Sequence, residues 1–377
     1  MDKLKVLTVF GTRPEGIKMA PIIKVLSEDK RFIQRVCVTA QHREMLDQVL
    51  KIFNITPDYD LDIFQHGQSL TQITTRAMEG LEKIVKEFQP DVLLVQGDTT
   101  TVFAGALVGF YHQVKVGHVE AGLRSGNLYS PYPEEANRKM TGVLSHYHFA
   151  PTIAAANNLL VENYPSEKIF VTGNTVIDAL LRVIDDSYIF EDSFLNSLDY
   201  QNKKIILLTA HRRENIGEPM VNIFQAIKRV VEENNDIEVV YPIHLNPNVR
   251  SISDKIFGDS DRIHIIEPLD YLPFANLINK CYLVVTDSGG VQEEAPTLGK
   301  PVLVVRKETE RPEGIEAGTA KLAGIIKEDI YQMISELIND RRKYDEMANA
   351  VNPYGDGNAS EKIRDILIND YFNNNSF

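Results

Sequence analysis

Cysteine is nearly missing: the 377 residues include two, Cys37 and Cys281. That count excludes a disulfide framework and a cysteine-built zinc site. Each lies in an apolar run, RVCVTA and NKCYLVV, where a thiol acts as a small buried hydrophobe. Long apolar stretches are missing as well, and none approaches the ~20 residues of a membrane span. The opening MDKLKVLTVFGTRPEG is a short apolar run cut by Gly-Thr-Arg-Pro, which reads as a buried strand and not as a signal peptide. A basic excess is absent too. The net charge is −13, so the electrostatic footprint of a nucleic-acid binder is not there. These absences point to a soluble cytoplasmic protein without nucleic-acid or membrane partners. An anionic small ligand remains open, because local Arg, Lys and helix N-termini decide its binding.

What is present is an ordinary globular balance, 43% apolar and 25% charged, over a length that favours two domains. Short Val/Ile/Leu runs alternate with amphipathic stretches. The runs are Lys5–Phe10, Arg35–Ala40, Asp91–Gln96, Lys115–Glu120 and Lys168–Thr172. Between them Leu70, Ile73, Ala77, Leu81, Ile84, Val85 and Phe88 recur at helical spacing. Continuous apolar strands separated by helices indicate a parallel sheet covered on both faces. The pattern pauses over the acidic, poorly periodic residues 185–203, which read as a linker or loop. It restarts at Lys204–Ala210 and continues through Glu238–Pro242, Arg262–Ile266, Tyr282–Thr286 and Pro301–Val305. The expected architecture is α/β, with two successive doubly wound units. The first spans 1–173 and the second 174–359, and a terminal helix within 360–377 packs on either.

Ligands of such sheets bind outside the carboxyl ends of the strands. After the first strand comes Gly11-Thr12-Arg13-Pro14-Glu15-Gly16-Ile17-Lys18, where Arg13 and Lys18 suit an anion beside a helix N-terminus. A plain solvated helix start explains it equally well. The segment is not a GxGxxG fingerprint, which argues against a dinucleotide cofactor. Gln41-His42-Arg43-Glu44 follows the second strand and could simply cap a helix. Asp98 follows the third, beside a candidate N-cap at Thr99. Glu120 ends the fourth, ahead of Gly122 and Gly126, and a carboxylate on an apolar strand is uncommon unless paired or functional. Glu134 and Glu135 open a helix after a proline-rich loop, which also suits the helix dipole. Each carboxylate taken singly has a structural explanation. Together Asp98, Glu120 and Glu134 project from one end of one sheet, and such a set can divide acid and base roles. In the second half, His211-Arg212-Arg213 ends a strand, and His244 follows the next. Asp287-Ser288-Gly289-Gly290 opens a helix whose N–H groups suit a phosphate. Glu294, one turn on, suits a ribose hydroxyl. Arg311 follows the strand PVLVV.

The ordered set GTRPEGIKMAP, TAQHREMLDQVL, GDTTT, GHVEAGLRS, SPYPEEANR, TGNTVIDAL, AHRREN, DSGGVQEEAP and ERPEG resembles the non-hydrolysing UDP-N-acetylglucosamine 2-epimerases, from Lys5 to about Ser360. Any one motif is weak; the order is specific. The resemblance implies a GT-B-like pair of Rossmann-like domains facing across a cleft. The implied reaction interconverts UDP-N-acetylglucosamine and UDP-N-acetylmannosamine without metal or cofactor. It runs by loss of the C2 proton, anti elimination of UDP to 2-acetamidoglucal, and re-addition after protonation from the other face. Carried over by position, Asp98, Glu120 and Glu134 match the acid/base carboxylates, and Lys18 and His211 match residues of sugar handling and catalysis. Arg13, Ser288, Gly289, Gly290, Glu294 and Arg311 match the UDP site, and Leu269 and Phe274 the uracil segment. Gln41, His42 and His244 match the region where many bacterial members bind a second UDP-N-acetylglucosamine as activator. The family resemblance also implies a homodimer and a product used in surface polysaccharide synthesis. Gly16 departs from the usual Ala, at a cost of up to about 1 kcal/mol at a helix start, and Gln96 from the usual His. A hydrolysing relative, a GT-B glycosyltransferase and a non-catalytic nucleotide-sugar sensor are the competing readings.

Overall fold

The computed structural model describes residues 3–374 apart from 42 and 259, without the side chains of the last two. The chain divides into two units, 1–182 joined by 354–377, and 183–353.

In the first unit seven strands form one sheet: β1 (Leu4–Phe10), β2 (Phe32–Val38), β3 (Tyr59–Asp60), β4 (Val92–Gln96), β5 (Lys115–Val119), β6 (Tyr147–Ala150) and β7 (Ile169–Val171). Their order is β3-β2-β1-β4-β5-β6-β7, and every pairing is parallel. Side chains alternate across a strand, so β1 feeds two cores. Leu4, Val6 and Phe10 enter a cluster with Met19, Ile22 and Leu26 of helix Arg13–Glu28. Leu7 and Val9 enter another with Leu81, Ile84 and Val85 of helix Leu70–Phe88.

The chain's last helix, Ala359–Asn374, returns to this unit and adds Ile363, Leu367 and Ile368 to the first of these clusters. The unit therefore runs past the expected boundary at 173. Helix Thr175–Val183 stays with it because buried Asp178 accepts the N–H groups of Ala359 (3.3 Å) and Ser360 (2.7 Å). Gly16 is explained by packing. A Cβ there would stand 3.1 Å from Leu46 and 3.2 Å from Val49 of helix Arg43–Ile52, so the missing methyl lets two helices close up.

The second unit has six parallel strands: β8 (Lys204–Thr209), β9 (Ile237–Pro242), β10 (Ile263–Ile266), β11 (Leu283–Thr286), β12 (Val302–Val304) and β13 (Ala320–Leu322). Their order is β10-β9-β8-β11-β12-β13. Ile206 and Leu208 of β8 pack with Phe224 and Ile227 on one face, and Ile205 and Leu207 with Leu277 and Ala295 on the other. Residues 185–203 are not a bare linker. They hold helix Ser193–Ser197 and bury Phe190 and Leu195 in the core of this unit. Among the described residues no helix is long and apolar enough to cross a membrane.

Candidate active site

In each sheet the strand order reverses beside the first strand of the unit, between β1 and β4 and between β8 and β11. A crevice at the carboxyl ends of such a pair is where open α/β sheets bind ligands.

In the first unit, Gly11 leaves β1 and Thr12 caps helix Arg13–Glu28. Arg13 is its first residue, and Lys18 lies one turn in. The capping box is closed by Glu15, a buried carboxylate that accepts from the N–H groups of Gly11 (3.1 Å) and Thr12 (2.7 Å) and from the Thr99 hydroxyl (2.7 Å). Burial pushes the Glu15 carboxyl above its ordinary value, and those hydrogen bonds pull the other way. Glu15 thus ties the β1 turn to the β4 turn that carries Asp98. Asp98 is ion-paired with Arg138 at 2.6 Å, and its carbonyl accepts from Asn137 Nδ2 at 2.9 Å. Both partners come from the first turns of helix Glu134–Leu144, which brings Glu134 to the same end of the sheet. One Glu134 carboxylate oxygen is buried without a hydrogen bond.

Glu120 follows β5 directly and takes φ 63°, a left-handed conformation costing a non-glycine residue roughly 1–2 kcal/mol. Its carboxylate is ion-paired with Lys18 and accepts from Asn174 Nδ2 at 3.0 Å. Neighbouring Glu135 is fully buried. Burial works upward on its carboxyl, but the N–H groups of Ser125 and Gly126 and the Arg138 guanidinium outweigh it and hold it below its ordinary value. His118, two residues before Glu120, bonds the Gly97 carbonyl at 2.7 Å, and burial lowers its pKa to about 4. It stays neutral near pH 7. The Gln41 side-chain Oε1 accepts from the Thr101 hydroxyl at 3.5 Å; His42 lies outside the described residues.

In the second unit, Asp287 leaves β11 completely buried. One carboxylate oxygen accepts from the N–H groups of His211 (2.9 Å) and Arg212 (2.8 Å) and from Asn215 Nδ2 (3.0 Å). His211 stands after β8, its ring stacked on His244 at 5.5 Å. Burial lowers its pKa, and Asp287 acts in the opposite direction. Ser288 precedes helix Gly289–Thr297. A Cβ on Gly290 would meet nothing within 4 Å, so open space lies at this helix start. Glu294 holds the Tyr271 hydroxyl, whose pKa rises well above its ordinary value through burial first and the carboxylate second. Arg311 is ion-paired with Glu293. Leu269 and Phe274 border the core on the same flank.

The residues singled out from sequence thus fall into two sets, one in each unit. Arg13, Lys18, Asp98, Glu120 and Glu134 belong to the first unit. His211, His244, Leu269, Phe274, Ser288, Gly289, Gly290, Glu294 and Arg311 belong to the second. Sequence reasoning gave no role to Glu15, Arg138, Asn174, Tyr271, Asn215 and Asp287, and read Glu135 only as suiting the helix dipole. Glu15 had a signal in the Thr-x-x-Glu capping box. Asn174 lies in the quoted run TGNTVIDAL, but nothing in the sequence tied it to Glu120, 54 residues away.

The family model of UDP-N-acetylglucosamine 2-epimerase matches residues 24–368. This chain belongs to that family. A UDP-N-acetylglucosamine 2-epimerase of Bacillus subtilis (strain 168) is 57% identical over 371 residues, 98% of this chain and 97% of the relative. The crystal structure of UDP-GlcNAc 2-epimerase from Neisseria meningitidis, bound to UDP-GlcNAc, superposes with TM-score 0.85 at 51% identity, covering 97% of this chain and 100% of that one. The enzyme from Methanocaldococcus jannaschii, in complex with UDP-GlcNAc and UDP, gives 0.76 at 37% identity with the same coverage. Family membership makes the chain an isomerase, and the fold is the expected succession of two Rossmann-like units.

Proposed function

We propose that the chain interconverts UDP-N-acetylglucosamine and UDP-N-acetylmannosamine by elimination and re-addition of UDP, with the sugar chemistry in the first unit and UDP held by the second. The observation that carries this reading is the separate holding of two carboxylates at one sheet end, Glu120 by Lys18 and Asn174, and Asp98 by Arg138. Carboxylates held by different partners can be given different tasks, an acid and a base on opposite faces of C2. Glu134 supplies a third, one of whose oxygens is buried without a partner.

The C2–H electron pair becomes the C1–C2 double bond, and a carboxylate takes the proton. The C1–O bond breaks, and its electron pair leaves on the UDP oxygen. Return of UDP after protonation of C2 from the other face gives the epimer. Arg13, His211, Arg311 and the N–H groups at Ser288-Gly289-Gly290 offset the diphosphate charge. Glu294 reads the ribose, and Leu269 and Phe274 hold the uracil. Gln41 and His42 in the first unit, and His244 in the second, are the residues we assign to an activating nucleotide sugar. We take the enzyme to act in the cytoplasm as a homodimer supplying surface polysaccharide synthesis. A second copy is supported by the exposed Phe110 and Val143, which line one shallow depression.

Proton NMR of the enzyme with UDP-N-acetylglucosamine in D2O tests the reaction. Deuterium at C2 with growing UDP-N-acetylmannosamine is the expected outcome. Accumulating UDP and free N-acetylmannosamine would identify a hydrolysing enzyme instead, and retention of the C2 proton would rule out the elimination.

A further inference from the structure

The Asp287 carboxylate is completely buried, and its oxygens are used unequally. Oδ2 accepts all three N–H donors, from His211, Arg212 and Asn215. Oδ1 is buried, accepts no hydrogen bond, and faces His211 Nδ1 at 3.5 Å. The turn around it is locked. Asp287 N–H donates to the Thr209 carbonyl at 3.0 Å, the Thr209 and Thr286 hydroxyls bond each other at 2.6 Å, and Ser288 N–H donates to Thr286 Oγ1 at 2.9 Å. His244 stacks on a face of the imidazole, 15° from parallel. A buried oxygen without a donor is costly, and half an ångström of ring movement would give this one the Nδ1–H of His211. Catalytic hydrogen bonds are often this long before substrate arrives.

We propose that Asp287 is a positioning residue for His211: its Oδ1 accepts from Nδ1–H and holds the ring as an imidazolium, whose Nε2–H hydrogen-bonds the diphosphate as UDP leaves. The proposal rests on the epimerase reading above. Deprotonation at C2 and departure of UDP are unchanged; His211, disfavoured as a cation by burial alone, takes a proton from solvent as the diphosphate arrives and keeps it through both steps. Asp287 orients the ring and balances its charge, as a buried carboxylate does for a catalytic histidine elsewhere.

Asp287→Asn separates this role from the structural one. The amide oxygen can take the place of Oδ2 and keep the three N–H donors. Its NH2 then faces Nδ1 and makes that nitrogen an acceptor, so the ring is neutral. The expected result is a kcat about 10²-fold lower, with KM within a few-fold. His211→Asn should lose at least as much, and the double variant no more than His211→Asn alone. Losses that multiply would overturn the proposal while leaving His211 in the reaction. A His211→Asn enzyme with wild-type kcat would instead remove His211 from the mechanism, and this proposal with it. If Asp287→Asn fails to fold, nitrogen NMR of histidine-labelled wild-type enzyme with UDP decides. Both His211 ring nitrogens protonated supports the pairing, and a neutral ring overturns it.

Discussion

Glu120 combines three features that rarely coincide by chance. It sits at φ 63°, its carboxylate is mostly buried, and it has two partners on different elements, Lys18 and Asn174. A backbone held in a sparsely populated region persists only where its surroundings over-determine it. Replacing Glu120 with Gln keeps the shape and one hydrogen-bonding oxygen but removes the proton-accepting charge. Turnover should fall by about 10²- to 10⁴-fold, the usual span for a lost general acid or base, while UDP affinity stays within a few-fold. Initial rates with isothermal titration of UDP measure both, and near wild-type turnover would take Glu120 out of the chemistry. At this scale the sequence was legible where a polar residue interrupts an apolar strand end, as with Glu120 and His211. It singled out Lys18 but not its pairing with Glu120, and it gave no role to the other residues that hold them. Asn174 and Asp287 acquire their roles only from parallel pairing that brings distant strand ends together.

Elements were legible where their period was long. Helix Leu70–Phe88 falls where the apolar spacing places it. Strands β3, β6 and β13 did not register, because Tyr-Asp, Tyr-His-Phe-Ala and Ala-Lys-Leu lack the apolar run that marked the equally short β7 and β12. In β6 the run Tyr-His-Phe-Ala hides a buried strand behind a polar histidine. That strand lies beside a compact ionic junction. Arg124, from the loop after β5, grips Glu162 at the end of helix Ile153–Val161 through two hydrogen bonds of 2.9 and 2.8 Å, and Lys139 adds a third at 2.9 Å. The Arg124 hydrogen bonds and Lys139 lower the Glu162 pKa from 4.5 to about 2. A depressed carboxylate contributes stability above its unfolded value and loses it as pH falls through the folded one. Glu162→Gln should therefore be less stable than the parent at pH 7. The gap should close between about pH 4.5 and 2, in urea melts followed across that range. A gap constant with pH would assign Glu162 a packing role instead.

At the scale of the whole molecule the chain is not simply one unit after another. Its end returns to the beginning, so the first unit is incomplete until Ala359–Asn374 has been added. The alternation of strands and helices reveals two sheets but does not say which one the last helix covers, because an amphipathic face matches either. Each unit carries one buried thiol, Cys37 in the first and Cys281 in the second. Burial raises both thiol pKa values, that of Cys281 to about 12, so neither is a ready thiolate in the folded protein. The pair reports on the opening of each unit separately. Leu367→Ala empties a fully buried site in the first unit and should cost about 2–5 kcal/mol there. Where reaction follows the open population, every 1.4 kcal/mol is roughly tenfold in rate. Cys37 should thus react with a thiol reagent at least tenfold faster in the variant, with Cys281 changed less than about threefold. Equal acceleration at both thiols would mean that the two units open as one cooperative body, held together more strongly than the separate cores require.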